Sequence, residues 1–124
     1  MPLDRVLLHL PTRHRRPIPP ADVYYLEAHG NRTLIRLRDA TPLEDVRSLG
    51  ELHPLFAPHA FHRIHRNHSV NLRRILEIRP REEGFDWEVK MEPPVNRVLP
   101  VARGLEGLLG CQEKPRASRV ELLP

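Results

Sequence analysis

Residues 61–72 read Phe61-His62-Arg63-Ile64-His65-Arg66-Asn67-His68-Ser69-Val70-Asn71-Leu72. Phe61 to Ile64 and Ser69 to Asn71 have the aromatic and β-branched content of short strands, and the residues between them are basic or amide-bearing. The pattern predicts two strands flanking a basic loop. Across residues 61–81, Arg63, Arg66, Arg73, Arg74, Arg79 and Arg81 stand against Glu77 alone, so this segment carries +5 where the whole chain nets +4. Mixed with Asn67, Ser69 and Asn71, that excess points to a loop that contacts phosphate. A solvated charged face is the plainer alternative.

Working outward, the neighbouring segments also read as short strands. Asp22 to Glu27 is β-prone through Val23, Tyr24 and Tyr25. His29-Gly30-Asn31 follows as a turn, because glycine and asparagine tolerate positive φ. Thr33, Ile35 and Leu37 alternate with Arg36 and Arg38, which predicts a half-buried strand closing a hairpin. Nearer the start, Val6 to Leu10 predicts a strand, and Pro17, Pro19 and Pro20 an extended connection without ladder donors. Thr41 and Glu44 resemble a capping box, with Pro42 suited to the first helical position. Leu43, Val46, Leu49 and Leu52 then recur every three residues, predicting one short amphipathic helix that ends near Pro54.

Downstream, Ile75 to Arg79 alternates and residues 81–84 read as a turn. Phe85, Trp87 and Val89 share one face of a further strand, which Pro93-Pro94 interrupts. Val95 to Val101 predicts the last strand, and Leu105, Leu108 and Leu109 a short terminal helix. The fold class expected is mainly β. A single domain is expected over residues 1–112, with residues 113–124 as a flexible C-terminal tail.

Composition narrows the chemistry. The 14 prolines among 124 residues argue against a long helical bundle. Eighteen of the 20 basic residues are arginine, whose planar fork suits phosphate and guanine edges. The lone Cys111 excludes a disulfide framework and a multi-cysteine zinc site. No apolar run approaches the roughly 18 residues of a membrane span, and the opening residues make a poor signal peptide. A cytoplasmic protein without membrane contact is expected.

His59, His62, His65 and His68 recur every three residues and on a helix would suggest a metal site. On a strand the same spacing sends alternate imidazoles to opposite faces, so no metal is expected. The acids are scattered and no nucleophile motif occurs; neither enzyme chemistry nor a cofactor is expected. Glu27 beside His29 is read as a turn contact rather than a catalytic pair. Trp87 and Phe85 could stack on bases, but with aromatics at only 5% they are assigned to the core. Duplex DNA suits an arginine-rich, aromatic-poor chain better than single strands or RNA.

Three motifs carry a family resemblance. Tyr25-Leu26-Glu27-Ala28-His29-Gly30-Asn31 resembles the opening YIEA-x-GN of the LytTR DNA-binding domain. Residues 61–72 resemble its F-x-R-x-HRS-x-IVNL signature, with Ile75 at the isoleucine that follows. Leu99-Pro100-Val101-Ala102-Arg103 is similar to its closing LPVSR. Order and spacing match over about residues 5–110. The resemblance implies an elongated fold of several small antiparallel sheets with one or two short helices. It also implies transcriptional regulation through promoter repeats in double-stranded DNA, read by loops rather than a recognition helix.

By motif position, Asn31, Arg66 and Arg103 should reach DNA, with His65 and His29 as second-rank neighbours. Arg63, Arg73 and Arg74 are candidates for neutralising the backbone, while Ile64 and Val70 should anchor the loop in the core. Asn67 stands where the family has serine and is kept as a contact; Ala102 replaces the serine before Arg103. The domain begins near Met1, so a stand-alone output domain without a receiver is expected, controlled by its expression level or by a separate regulatory protein. Self-association is expected on DNA rather than in solution. Two other classes remain: a small histidine-rich metal-binding or enzymatic domain, and a non-specific RNA or polyanion binder.

Overall fold

In the strand that begins at Val23, the first four residues (Val23, Tyr24, Tyr25 and Leu26) are all buried. A strand with one wet face would alternate, so both faces of this one must be covered. The computed structural model, which describes residues 4–39, 41–81 and 86–102, shows how. In chain order the described elements are β1 (Val6–His9), β2 (Arg15–Ile18), β3 (Val23–His29), β4 (Arg32–Leu37) and β5 (Leu43–Asp45). Helix α1 (Leu49–Phe56) follows, then β6 (Phe61–His65), β7 (His68–Asn71), β8 (Ile75–Pro80), β9 (Trp87–Met91) and β10 (Val98–Val101).

These strands form a β1–β2 hairpin, a five-stranded sheet in the order β5-β4-β3-β7-β6, and a three-stranded sheet in the order β10-β9-β8. Every pairing is antiparallel. One core gathers Val6, Leu8 and Ile18 of the hairpin with Leu49, Leu52 and Phe56 of α1 against Val23, Leu26, Ile35 and Phe61. A second core gathers Ile75, Val89, Met91, Leu99 and Val101 of the smaller sheet with Tyr24, Tyr25, Ile64 and Val70. Consecutive Tyr24 and Tyr25 join the same core because the β3–β4 register shifts between Val23 and Tyr25, a bulge that resets the alternation. Each fully buried large apolar side chain contributes about 1.5–3 kcal/mol to these two cores, which share the five-stranded sheet.

The mainly-β expectation and the hairpin around Gly30 match this architecture, as do buried Thr33 and Ile35 on one face of β4. Trp87 is half-buried and packs against the second core. Three local expectations are corrected. The helix predicted from Leu43 starts at Leu49 instead, because Leu43–Asp45 is spent as the edge strand β5 beside β4. Glu44 does not cap a helix; its carboxylate faces Arg32 at 3.7 Å and His29 at 4.0 Å.

The real capping box lies seven residues later, at Ser48 and Glu51. Ser48 N–H donates to Glu51 Oε1 at 2.9 Å, and Glu51 N–H donates back to Ser48 Oγ at 3.3 Å. The apolar stripe is therefore Leu49, Leu52 and Phe56, while Val46 is exposed.

The second correction concerns the proline-rich connection. Arg15–Ile18 pairs with β1, and Pro17 opposes Leu7 on an edge strand, where a missing N–H costs no ladder bond. Third, the last strand begins at Val98 rather than Val95, since residues 93–95 form a turn closed by Val95 N–H donating to Glu92 O at 3.1 Å. Phe85, the terminal helix at Leu105, Leu108 and Leu109, Cys111 and the tail at residues 113–124 lie outside the described residues.

Candidate functional site

The order of the five-stranded sheet puts two turns at one end. The β3–β4 turn carries Gly30 and Asn31, closed by the His29–Arg32 pair; the β6–β7 turn carries Arg66 and Asn67, closed by the His65–His68 pair. Because β3 lies between β4 and β7, with Glu27 opposite both Leu34 and His68, the two turns are neighbours. Ala28 N–H donates to Asn67 O at 2.8 Å and fastens them together. Gly30 sits at φ 64, the left-handed region that glycine enters at little cost.

Twelve signature residues fall into two groups. Most of them build the fold. Phe61 lies in the first core, and Ile64 and Val70 in the second. Ser69 Oγ shares a 2.7 Å hydrogen bond with His53 Nδ1. Buried Asn71 donates through Nδ2 to Val23 O at 2.9 Å and accepts from Arg73 N–H at 3.0 Å. His68, 8% exposed, reaches Glu27 Oε2 from Nε2 at 3.0 Å, which places its donor proton on that nitrogen. Arg66 and Asn67 are left exposed at the tip.

Arg63 is turned back onto that tip. Its Nη2 donates to Arg66 O at 2.8 Å and its Nε to His65 O at 3.4 Å, so the guanidinium spans two consecutive carbonyls of the turn. His65 Nδ1 accepts from Asn67 N–H at 3.1 Å, adding a second clamp. The Arg66 side chain has no hydrogen-bond or carboxylate partner among the described residues and points its five donors outward. A preorganised backbone carrying an unsatisfied guanidinium is suited to an external anion or to the acceptor pair of a guanine edge.

The other expected contacts are placed as follows. Asn31 and His29 are exposed at the neighbouring turn. Arg73 is exposed without a side-chain partner among the described residues. Arg74 is committed within the protein: Nη2 donates to Ala21 O at 2.9 Å, and the guanidinium lies 5.1 Å from the Tyr24 ring centre. Arg103 lies outside the described residues. Its neighbour Ala102 N–H donates to Ile64 O at 2.8 Å, which brings the chain beside β6.

The +5 segment is less uncompensated than its sequence implies. Arg74, Arg79 and Arg81 face Glu92, Glu88 and Asp86 on or beside β9. Their positive charge is met by these acids, while that of Arg66 and Arg73 meets no carboxylate among the described residues.

Two features had no linear signal. Arg97, 70 residues from Glu27, donates through Nη2 to Glu27 Oε2 at 3.2 Å and through Nη1 to the Tyr25 hydroxyl at 2.8 Å. Glu27 thus joins His68 and Arg97, not His29, and buttresses the strand pair beneath both turns. The second is Asp45, fully buried, which accepts from His9 N–H at 2.8 Å, Arg47 N–H at 2.8 Å, Arg47 Nε at 3.0 Å and Arg47 Nη2 at 2.8 Å. Burial alone would raise its carboxyl pKa, but the hydrogen bonds from Arg47 and His9 outweigh burial and hold it below the usual range.

His59, His62, His65 and His68 do not converge as a set: the first is in a one-turn helix, the next two on β6 and the last across the hairpin on β7, where only the His65 and His68 rings approach, at 5.5 Å. Among the described residues no group of three histidines, cysteines or acids is placed to hold a metal ion. No helix among them is long and apolar enough to cross a membrane.

Comparison with known proteins adds to this geometry. The LytTr DNA-binding domain model matches residues 14–105. A solved LytTr DNA-binding domain from Bacillus cereus superposes with a TM-score of 0.68 at 28% identity, covering 88% of this chain and 99% of that one. Comparison with curated proteins gives no match.

Proposed function

The chain belongs to the LytTR DNA-binding domain family, and from that premise we propose that it binds duplex DNA sequence-specifically and regulates transcription by reading promoter repeats through loops. The observation that carries this reading is the pair of adjoining turns, Gly30–Asn31 and Arg66–Asn67, fastened by the Ala28–Asn67 bond and tipped by an Arg66 without a side-chain partner among the described residues. Helix α1 is a poor alternative reader. Leu49, Leu52 and Phe56 are buried, and the exposed Gly50, Glu51, Pro54 and Leu55 offer a groove no positive charge.

In this proposal Arg66 and Asn31 reach base edges in the major groove, joined by Arg103, with Asn67, His65 and His29 beside them. Arg73 contacts the backbone. Arg63 and Arg74, bonded to protein carbonyls, hold the turn and the sheet junction rather than phosphate. Two copies sit on paired repeats, each placing its turns in a groove.

Selection from a random duplex library tests the reading. The expected result is an enriched sequence repeated about one helical turn apart, roughly 10–10.5 bp. Arg66→Ala should cost about 1–3 kcal/mol on that site while thermal unfolding is unchanged. A library that enriches nothing, or an Arg66→Ala protein with unaltered affinity and preference, refutes it.

A further inference from the structure

The arginines separate sharply by whether the protein already neutralises them. Arg32, Arg47, Arg74, Arg79, Arg81 and Arg97 each have a carboxylate within 4.0 Å. Arg5, Arg13, Arg15 and Arg16 have none among the described residues, and all four are exposed. Among the described residues, the largest block of uncompensated positive charge is therefore the β1–β2 hairpin and the residue before it, not the signature turn.

That hairpin is anchored to β5, beside the Gly30–Asn31 turn. His9 N–H donates to Asp45 Oδ2 at 2.8 Å, His9 O accepts from Val46 N–H at 2.9 Å, and Arg47 Nη2 donates to Leu7 O at 2.8 Å. Asp45 lies opposite Thr33, the residue after Arg32 of the Gly30–Asn31 turn. The hairpin's own turn begins one residue beyond His9, so it is rooted at the same end of the sheet as the two exposed turns. Leu10 N–H donates to His14 O at 3.0 Å and Arg13 N–H to Leu10 O at 2.9 Å, while Thr12 Oγ1 and His14 Nδ1 lie 2.8 Å apart. The charge thus sits on an ordered tip, with Arg13 at φ 75.

We infer that the β1–β2 hairpin is a phosphate-binding arm, in which Arg13, Arg15 and Arg16 grip the DNA backbone beside the groove that the neighbouring turns enter. The inference rests on the DNA-reading proposal and extends the interface to residues outside the signature. Phosphates carry no sequence information, so the arm supplies affinity and register and leaves base preference to the turns. Arg15 shares the outward face with Leu7 and Pro17, whereas Arg16 opposes Leu8 on the other face. Two or three backbone contacts are therefore expected.

The test is a triple Arg13→Gln, Arg15→Gln, Arg16→Gln variant of the full chain, titrated against the selected duplex and a scrambled one from low to high salt. Each lost phosphate contact lowers the slope of log affinity against log salt by about 0.9, so the slope should flatten by about 2–3. Between about 50 and 200 mM salt the gap between parent and variant should narrow by roughly 10–40-fold. Preference for the selected over the scrambled duplex should stay at the parent's value, and Trp87 fluorescence should report an unchanged fold.

Arg38→Gln is the control, since exposed Arg38 follows β4 at the opposite end of the sheet, where Leu37 pairs with Val23. It should leave the slope unchanged. An unflattened slope in the triple variant overturns the arm. So does an Arg38→Gln slope that falls as much per residue, which would mean diffuse attraction, or a triple variant that loses sequence preference. A parent without any sequence preference fails earlier and overturns the DNA-reading proposal together with the arm.

Discussion

Replacing Asp45 should unfasten the hairpin from the sheet. Its carboxylate is fully buried and accepts four hydrogen bonds, one from β1 and three from Arg47, whose side chain is only 22% exposed. Asp45→Ala leaves a largely buried guanidinium without its counter-charge and two backbone N–H groups without their acceptor. Breaking a buried pair from one side costs about 3–5 kcal/mol. Asp45→Asn keeps one acceptor oxygen but turns an amide donor toward donors, losing one or two charge-assisted bonds at about 1.5–3 kcal/mol each. For a domain of this size the alanine variant should melt roughly 10–20 °C below the parent.

Urea unfolding followed by Trp87 fluorescence and by far-ultraviolet circular dichroism measures the cost. Non-coincident curves would show the hairpin detaching before the rest. The folded carboxyl titrates below its unfolded value near about 3.9, so its contribution is complete above that pH and is lost as pH falls through the lower folded value. The parent should therefore lose stability on acidification more steeply than Asp45→Asn. An asparagine variant within about 1 kcal/mol of the parent, with the same acid profile, would refute the assignment of Asp45 as the clamp.

Other changes probe single features. Ser48→Ala removes the acceptor of Glu51 N–H and should cost about 1 kcal/mol in urea unfolding; no change would show that the helix start is held by packing alone. A Cβ at Gly30 meets nothing within 4 Å, so Gly30→Ala should cost only the left-handed backbone penalty of about 1–2 kcal/mol, and a much larger loss would point to an unseen contact. Burial, with Arg63 and His62 nearby, holds the His53 pKa below its usual value. Its contribution to stability is complete above about pH 6.5 and lost as pH falls through the lowered folded value, so His53→Gln should flatten the stability profile between about pH 7 and 5. Arg63→Gln removes the guanidinium fork that spans the His65 and Arg66 carbonyls; it should weaken DNA binding with an unchanged salt slope, whereas a slope lower by about 0.9 would assign Arg63 to phosphate.

Local chemistry explains why parts of this molecule were legible in one dimension. The Gly30 turn, the alternation of Thr33, Ile35 and Leu37, and the basic tip at Arg66 follow from backbone permissiveness and period-two burial, which need only neighbours in sequence. The three-residue spacing of Leu49 and Leu52 continues backward through Val46 and Leu43, so the sequence pattern overextends the helix. Only the pairing of β5 with β4 reveals that Leu43–Asp45 is an edge strand. Pro17 likewise reads in sequence as part of an extended connection without ladder donors, because an edge position is a property of the assembled sheet.

The signature itself shows where sequence stops and tertiary structure begins. Sequence alone determined the class of the fold, the family likeness and the identity of the exposed turn, since each depends on residue type and order. It could not say which arginines are free, because a charge is spent or available according to what lies within a few ångströms. Arg79 and Arg81 are met by Glu88 and Asp86 across the smaller sheet, and Arg63 by the carbonyls of its own turn. Only folding leaves Arg66 exposed beside Asn31 with no partner among the described residues, and only folding roots the arginines of residues 13–16 at that same end of the sheet, through a buried aspartate 36 positions from His9.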